Sequence, residues 1–280
     1  MTAVPREPVD ERPVMLVLAG RDPTGGAGVD ADREAIEAAG ATARTIVTTE
    51  TVQDGRRVFE LRPRDAGEWS AEARAVLADD DVRVVKTGLL ANAAHVRAAA
   101  ALARETAVPW VVDPVLAASG GEPFLDEAGV RALLEELLPT GPVLTPNLDE
   151  AEVLLATSNG GGTEPESGAT EAARRVAAAE VLIAAGAGAV LLKGGHGGED
   201  PVMDLVLARG TPAAWISHPR LVGRSLHGSG CRYASTAAAA LARGESLEDA
   251  ARAAASYVAR LLAGSDDLPG SSVCVRRSGW

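Results

Sequence analysis

What most constrains the fold of this chain is a recurring punctuation. Short apolar runs stop abruptly at a polar or glycine signature, and alanine-rich helical stretches lie between them. Val14 to Ala19 is continuously apolar, the mark of a strand covered on both faces, and it ends in Gly20-Arg21-Asp22-Pro23-Thr24-Gly25-Gly26-Ala27-Gly28. Ala43 to Thr49 reads as a second strand. Val84-Val85-Lys86 stops at Thr87-Gly88, Trp110 to Val112 at Asp113-Pro114, Pro142 to Leu144 at Thr145-Pro146-Asn147, and Ala189 to Lys193 at Gly194-Gly195. Helices are predicted over about 29–39, 91–104, 127–138, 148–155, 171–185, 230–242 and 247–262, and 204–208 with 213–217 reads as a hairpin pair. Strands alternating with helices require an α/β fold: a mostly parallel sheet with helices on both faces. The expectation is a flexible leader over 1–12, one domain over 13–264 with a surface loop at 158–168, and a patternless tail over 265–280.

In such sheets ligands sit beyond the carboxyl ends of the strands. Asp22, Thr87-Gly88, Asp113, Asn147 and Lys193-Gly194-Gly195 all fall at predicted strand ends. Composition narrows the classes of ligand. The net charge of −12 argues against nucleic acid or an anionic membrane as partner, although a solvated acidic surface explains it as well. Aromatics are only 3% of the 280 residues, so the core must be built from Val, Leu, Ile and Ala. Two cysteines, Cys231 and Cys274, make neither a disulfide framework nor a zinc site. Met1 to Pro13 is charged and proline-rich, unlike a signal peptide, and no apolar run is long enough to span a bilayer, so a cytoplasmic location is expected. Lys86 and Lys193 are the only lysines, which singles them out.

The sharpest chemical signal is Leu226-His227-Gly228-Ser229-Gly230-Cys231, running straight into Ala234-Ser235-Thr236 and an alanine run. Glycines before a helix leave its first amides open, which makes an anion site. A cysteine at such a helix start is expected to be biased toward thiolate. A base beside an anion hole suits phosphoryl transfer. The bland alternative is a small buried hydrophobe in an alanine-rich helix.

The remaining motifs are weaker. No GxxxxGK[ST] loop is present, and Gly26-Ala27-Gly28 is a poor dinucleotide fingerprint. The Gly20–Gly28 loop reads either as a close approach of backbone to ligand or as a plain tight turn. Asn147 and Glu150 share a helix face and could hold Mg²⁺ through water, but the spacing by itself favours a capping box. Lys193 could face a nucleotide phosphate or simply snorkel. His95, His196 and His218 show no metal spacing and read as structural or exposed, while His227 is placed to brace the anion loop.

Together these segments resemble the ribokinase superfamily, and within it the hydroxymethylpyrimidine/phosphomethylpyrimidine kinases of thiamine biosynthesis. The resemblance runs from about Val14 to Leu262. It rests on Ala19 to Gly28 with Ala31-Asp32, on Val52-Gln53, Lys86-Thr87-Gly88-Leu89-Leu90, Asp113-Pro114-Val115, Thr145 to Glu152, Lys193-Gly194-Gly195-His196 and His227 to Cys231. Most ribokinase relatives carry Asp where this chain has Cys231; cysteine there points to the pyrimidine kinases and a few pyridoxal kinases.

The resemblance implies a three-layer ribokinase-like sandwich and an ATP- and Mg²⁺-dependent kinase acting on a small pyrimidine, usually as a homodimer. It implies an anion hole from Gly228, Ser229, Gly230 and Cys231, with Cys231 taking the proton from the attacking oxygen. Asn147, Lys193, Gly195 and Gly228 would serve ATP, and Asp113 and Glu150 would hold Mg²⁺ through water. Gly20, Asp32, Gln53 and Val115 would hold the pyrimidine. The chain departs from the family at Arg21 (usually Ser or Thr), Leu89 (usually Met), Ser119-Gly120 (usually Lys-Ser) and Arg232 (usually Thr). The gained Arg232 or Arg21 is expected to grip the phosphate of a phosphorylated substrate. The runner-up readings are a pyridoxal kinase of the same superfamily and a non-catalytic pyrimidine-binding relative.

Overall fold

The computed structural model describes residues 12–55, 57–79, 81–118, 121–158 and 170–264, with the backbone of 274–277. Its strands are β1 (Val14–Arg21), β2 (Thr42–Gln53), β3 (Val58–Pro63), β4 (Val82–Thr87), β5 (Trp110–Val112), β6 (Val143–Leu144), β7 (Ala189–Leu192), β8 (Val202–Ala208), β9 (Ala214–His218) and β10 (Cys274–Arg277). They form one ten-stranded sheet in the order β10-β9-β8-β7-β6-β5-β4-β1-β2-β3. The run from β7 to β2 is parallel, and β3 at one edge and β8 to β10 at the other are antiparallel.

The helices are α1 (Gly28–Ala38), α2 (Ala66–Asp79), α3 (Ala93–Glu105), α4 (Glu127–Ala132), α5 (Leu148–Thr157), α6 (Glu171–Ala184), α7 (Ser229–Ala242) and α8 (Leu247–Ala263). Helix α4 runs on through a π turn at Leu133–Leu137 and a 3₁₀ turn at Leu138–Thr140. The period-two alternation of β1 assigns the layers. Leu16 and Leu18 enter the core formed with α2 to α6, whereas Met15, Val17 and Ala19 face α1 and α7. Helix α8 completes that second layer against Leu191, Val206 and Ile216.

The three-layer sandwich therefore stands, with helices on both faces. The core is aliphatic as expected, apart from Trp69, Trp110, Trp215 and Tyr233, all buried. Alanines 237–240 of α7 are wholly buried, Ala238 and Ala239 against the sheet and α1, Ala237 and Ala240 against the sheet and α8. The structure adds β3 and α2, which the sequence reading passed over, and it draws Cys274–Arg277 of the expected tail onto β9. The Ser119-Gly120 departure and most of the 158–168 loop lie outside the described residues. Among the described residues no helix is long and apolar enough to cross a membrane.

Candidate active site

A cleft of about 500 Å³ opens along the carboxyl ends of the strands. Strand order gives it two ends. Toward β2 it is lined by Gly20, Thr51, Gln53, Val58, Leu89, Val115 and Phe124; toward β9 by Asn147, Glu150, Lys193, Gly195, Asp204, His218 and Tyr233. Asp113 and the run Gly228–Cys231 lie between.

The middle is built by α7. Its cap residue Gly228 has φ +73, and a Cβ there would stand 2.4 Å from the Gly26 carbonyl oxygen, so only glycine fits. No side chain caps the helix. The Ser229 amide is turned onto the Leu226 carbonyl at 3.2 Å, which leaves Gly230 and Cys231 as the first-turn amides at the mouth. Gly228 and Ser229 line the cleft beside them. His227 Nε2 lies 2.8 Å from Asp22 Oδ2, and the same carboxylate accepts from the amides of Thr24 (2.8 Å) and Ala27 (3.0 Å). Burial opposes the charge on Asp22, yet the bonds from Thr24 and His227 prevail and hold its carboxyl below the usual range. His227 thus braces the loop, as read from the sequence.

Three groups converge on α7 from neighbouring strand ends. Lys193 Nζ donates to Asp113 Oδ1 at 3.1 Å and lies 3.9 Å from Glu150 Oε2. Thr145 Oγ1 donates to the same Asp113 oxygen at 3.2 Å. A Cβ added at Gly230 would stand 3.4 Å from Lys193 Nζ and 3.9 Å from Asp113 Oδ2, so the cation and the carboxylate sit directly at the helix mouth. A parallel bridge between Asn147 and Lys193 fixes their register.

The two readings of Asn147 and Glu150 coexist. The capping box is complete: Glu150 N donates to Asn147 Oδ1 and Asn147 N to Glu150 Oε2, each at 2.8 Å. Both residues also line the cleft. Burial pushes the Glu150 carboxyl up despite the attraction of Lys193. Among the described residues no cluster of three or more His, Cys, Asp or Glu is arranged to hold a metal ion. Mg²⁺ needs none, because it is bound by one or two carboxylates, substrate phosphates and its own waters. Asp113 and the under-compensated Glu150 are a donor set that fits it.

Three expectations are corrected. The expected bias of Cys231 toward thiolate finds no support: the residue is half-buried and lines the cleft, and desolvation there pushes its thiol up to about 11, although the Lys86 ammonium pulls the other way. Asp32 does not reach the cleft; it is wholly buried under α7 and paired with Lys86 at 2.8 Å. Arg232 does not face a ligand. Its guanidinium is buried and donates to the carbonyls of Gly26 (2.6 Å) and His227 (2.9 Å) and to Glu34 (2.7 Å), stitching the first glycine loop to the second. Arg21 does line the cleft, half-exposed and 3.3 Å from Glu50.

Gly20, Gln53 and Val115 line the cleft. Val115 has φ +24, a left-handed backbone that a β-branched residue rarely adopts and that costs ~1–3 kcal/mol. His196 and His218 also line the cleft, which the sequence did not signal. His218 Nε2 is 3.4 Å from the buried Asp204, whose other oxygen accepts from the Gly194 amide at 2.7 Å. Asp204 thereby fixes the backbone just after Lys193.

A family model described as phosphomethylpyrimidine kinase matches residues 22–272. The hydroxymethylpyrimidine/phosphomethylpyrimidine kinase of Streptomyces coelicolor is 38% identical over 258 residues, covering 92% of this chain and 91% of that one. Its counterpart from Rhizobium meliloti is 35% identical over 255 residues, covering 91% and 92%. Among solved structures, an ADP complex of Bacillus subtilis pyridoxal kinase matches with a TM-score of 0.79 at 25% identity, covering 94% of this chain and 96% of that one.

Proposed function

The chain belongs to the phosphomethylpyrimidine kinase family, and on that footing we propose that its cleft transfers a phosphoryl group from ATP to the hydroxymethylpyrimidine alcohol and to its monophosphate. The chain is a phosphotransferase of thiamine biosynthesis. The single observation that carries the site assignment is the convergence of Lys193 and Asp113 on Gly230 at the open end of α7.

The pyrimidine lies toward β2, against Gly20, Gln53 and Val115, and ATP lies toward β9, along Asn147, Lys193 and Gly195. The amides of Gly230 and Cys231, with the helix dipole behind them, receive charge on the phosphoryl group in flight. Lys193 reaches the same oxygens. Asp113 and Glu150 would hold Mg²⁺, which when bound would neutralise charge on the nucleotide phosphates. Positioning and electrostatics then supply most of the acceleration, because the transferring group passes through a loose transition state.

The two acceptors differ in what they ask of Cys231. An attacking alcohol must lose a proton, and the sulfur takes it as the thiolate, its minority form. An attacking phosphate oxygen is already ionised and asks for no base.

Release of ADP with the alcohol, the monophosphate and pyridoxal tests the reading. ADP release with both pyrimidines is expected, and Cys231→Ala should cut turnover of the alcohol ~100-fold or more. Near-normal turnover in that variant would make Cys231 packing only. ADP release with pyridoxal alone would shift the chain to the pyridoxal kinase reading, and none with any acceptor would leave a binding protein.

A further inference from the structure

The β2 end of the cleft is walled mainly by apolar side chains, Val58, Leu89, Val115 and Phe124, so its few polar arms decide how a ring sits there. Gln53 carries one of them, and a carboxamide can present either a donor or an acceptor. A neighbour decides which. Thr51 stands two residues earlier on β2, only 8% exposed, and its Oγ1 donates to the Arg21 carbonyl at 2.9 Å. The same Oγ1 lies 2.7 Å from Gln53 Nε2.

A threonine hydroxyl has one proton, and a carbonyl oxygen can only accept, so that proton is committed to Arg21. The Gln53 atom on Thr51 must then be the donor, which is the nitrogen. The reversed amide would bring two oxygens to 2.7 Å with no proton between them. Nε2 is therefore held by Thr51, and Oε1 is the arm left for the cleft that Gln53 lines. The β2–β3 ladder also slips register between Val52 and Gln53, an irregularity of the kind that re-aims a side chain beside a site.

We propose that Thr51 is a positioning residue that fixes the polarity of Gln53, so that the β2 end of the cleft selects a ring bearing an N–H donor. The inference deepens the reading of Gln53 as a pyrimidine contact and rests on it. The aminopyrimidine alcohol has one N–H donor, its exocyclic amine; its ring nitrogens accept, and its hydroxyl is the reacting group. Only the amine can meet Oε1. Pyridoxal carries an aldehyde in place of that amine, which sets an acceptor against an acceptor. The apolar walls strengthen the matched bond and make the mismatch costlier. The relay from the Arg21 carbonyl through Thr51 to Gln53 is thus what separates the two rings.

Titration calorimetry of the full chain with two ligands tests this: the aminopyrimidine alcohol, and the same alcohol with hydrogen in place of the amine. The wild type is expected to prefer the first by ~10-fold or more, the scale of one buried hydrogen bond left unmade. Thr51→Val keeps the shape and removes the hydroxyl, so Gln53 is free to turn. The preference should then shrink to ~3-fold or less, with KM for the alcohol raised and kcat nearly unchanged. Thr51→Ser, which keeps a hydroxyl, should restore it. Should Thr51→Val fail a thermal melt, Thr51→Ala carries the same test without added bulk. Equal binding of both ligands by the wild type, an undiminished preference in the folded variant, or an equal loss for both ligands overturns the proposal and leaves the kinase reading intact. A wild type that binds neither pyrimidine overturns both.

Discussion

Lys193 Nζ reaches from the end of β7 across β6 to Asp113 beyond β5, closing to 3.1 Å from Oδ1. Burial disfavours its charge, but Asp113 and Glu150 more than offset this and keep the ammonium protonated. Its place beside Gly230 supports the proposed role on the phosphoryl group. Lys193→Met should lower kcat by ~10²–10³, the loss seen when one donor to a developing anion is removed. Steady-state rates at saturating ATP check this, and a kcat within a few-fold of wild type would return Lys193 to a structural role.

Glu150 caps α5 and is proposed to hold Mg²⁺, and one substitution separates the two. Glu150→Gln keeps an oxygen to accept the Asn147 amide, so the cap and the melting temperature should hold. The Mg²⁺ needed for half-maximal rate should rise ~10-fold or more. A Mg²⁺ titration alongside a thermal melt measures both. A lower melting temperature with unaltered Mg²⁺ dependence would mean that Glu150 only caps.

Arg232→Ala should destabilise the fold by ~1–3 kcal/mol, because the Gly26 and His227 carbonyls lose their donor. Turnover of the alcohol and the monophosphate should fall by the same factor. Denaturant unfolding and paired kinetics decide the matter. A rise in KM confined to the monophosphate would restore the phosphate-gripping role.

The thiol at about 11 fixes a pH dependence. Below that value each unit of pH multiplies the thiolate about tenfold. The kcat/KM for the alcohol should therefore climb through the alkaline range, while that for the monophosphate, whose attacking oxygen is already ionised, should stay flat. Parallel profiles for the two acceptors would count against a base at Cys231.

Much of this site was legible because its residues sit at strand ends, and strand ends are marked locally. Asp113, Asn147 and Lys193 each close an apolar run, and the glycines around Ser229 announce an open helix start. What escaped depends on distant partners. Asp32 reads as one more polar residue on an amphipathic helix, and only Lys86, 54 positions on, reveals that it is buried. Arg232 looks available for a phosphate until Gly26, 206 positions away, takes its guanidinium. Helix α2 was missed because its buried residues are few, Trp69, Ser70 and Ala73, so its apolar stripe is thin.

The bare methyls of Ala237–Ala240 let α7 settle close to the strands and to α8. That intimacy sets how far the opening amides of the same helix hang over the floor of the catalytic chamber. A valine at Ala238, a full turn and more from any reacting atom, would jack the rod outward, and a displacement of about an ångström is enough to cost ~10²-fold in rate. The methyl-lined flank acts as the spacer that sets the focal distance of the active centre.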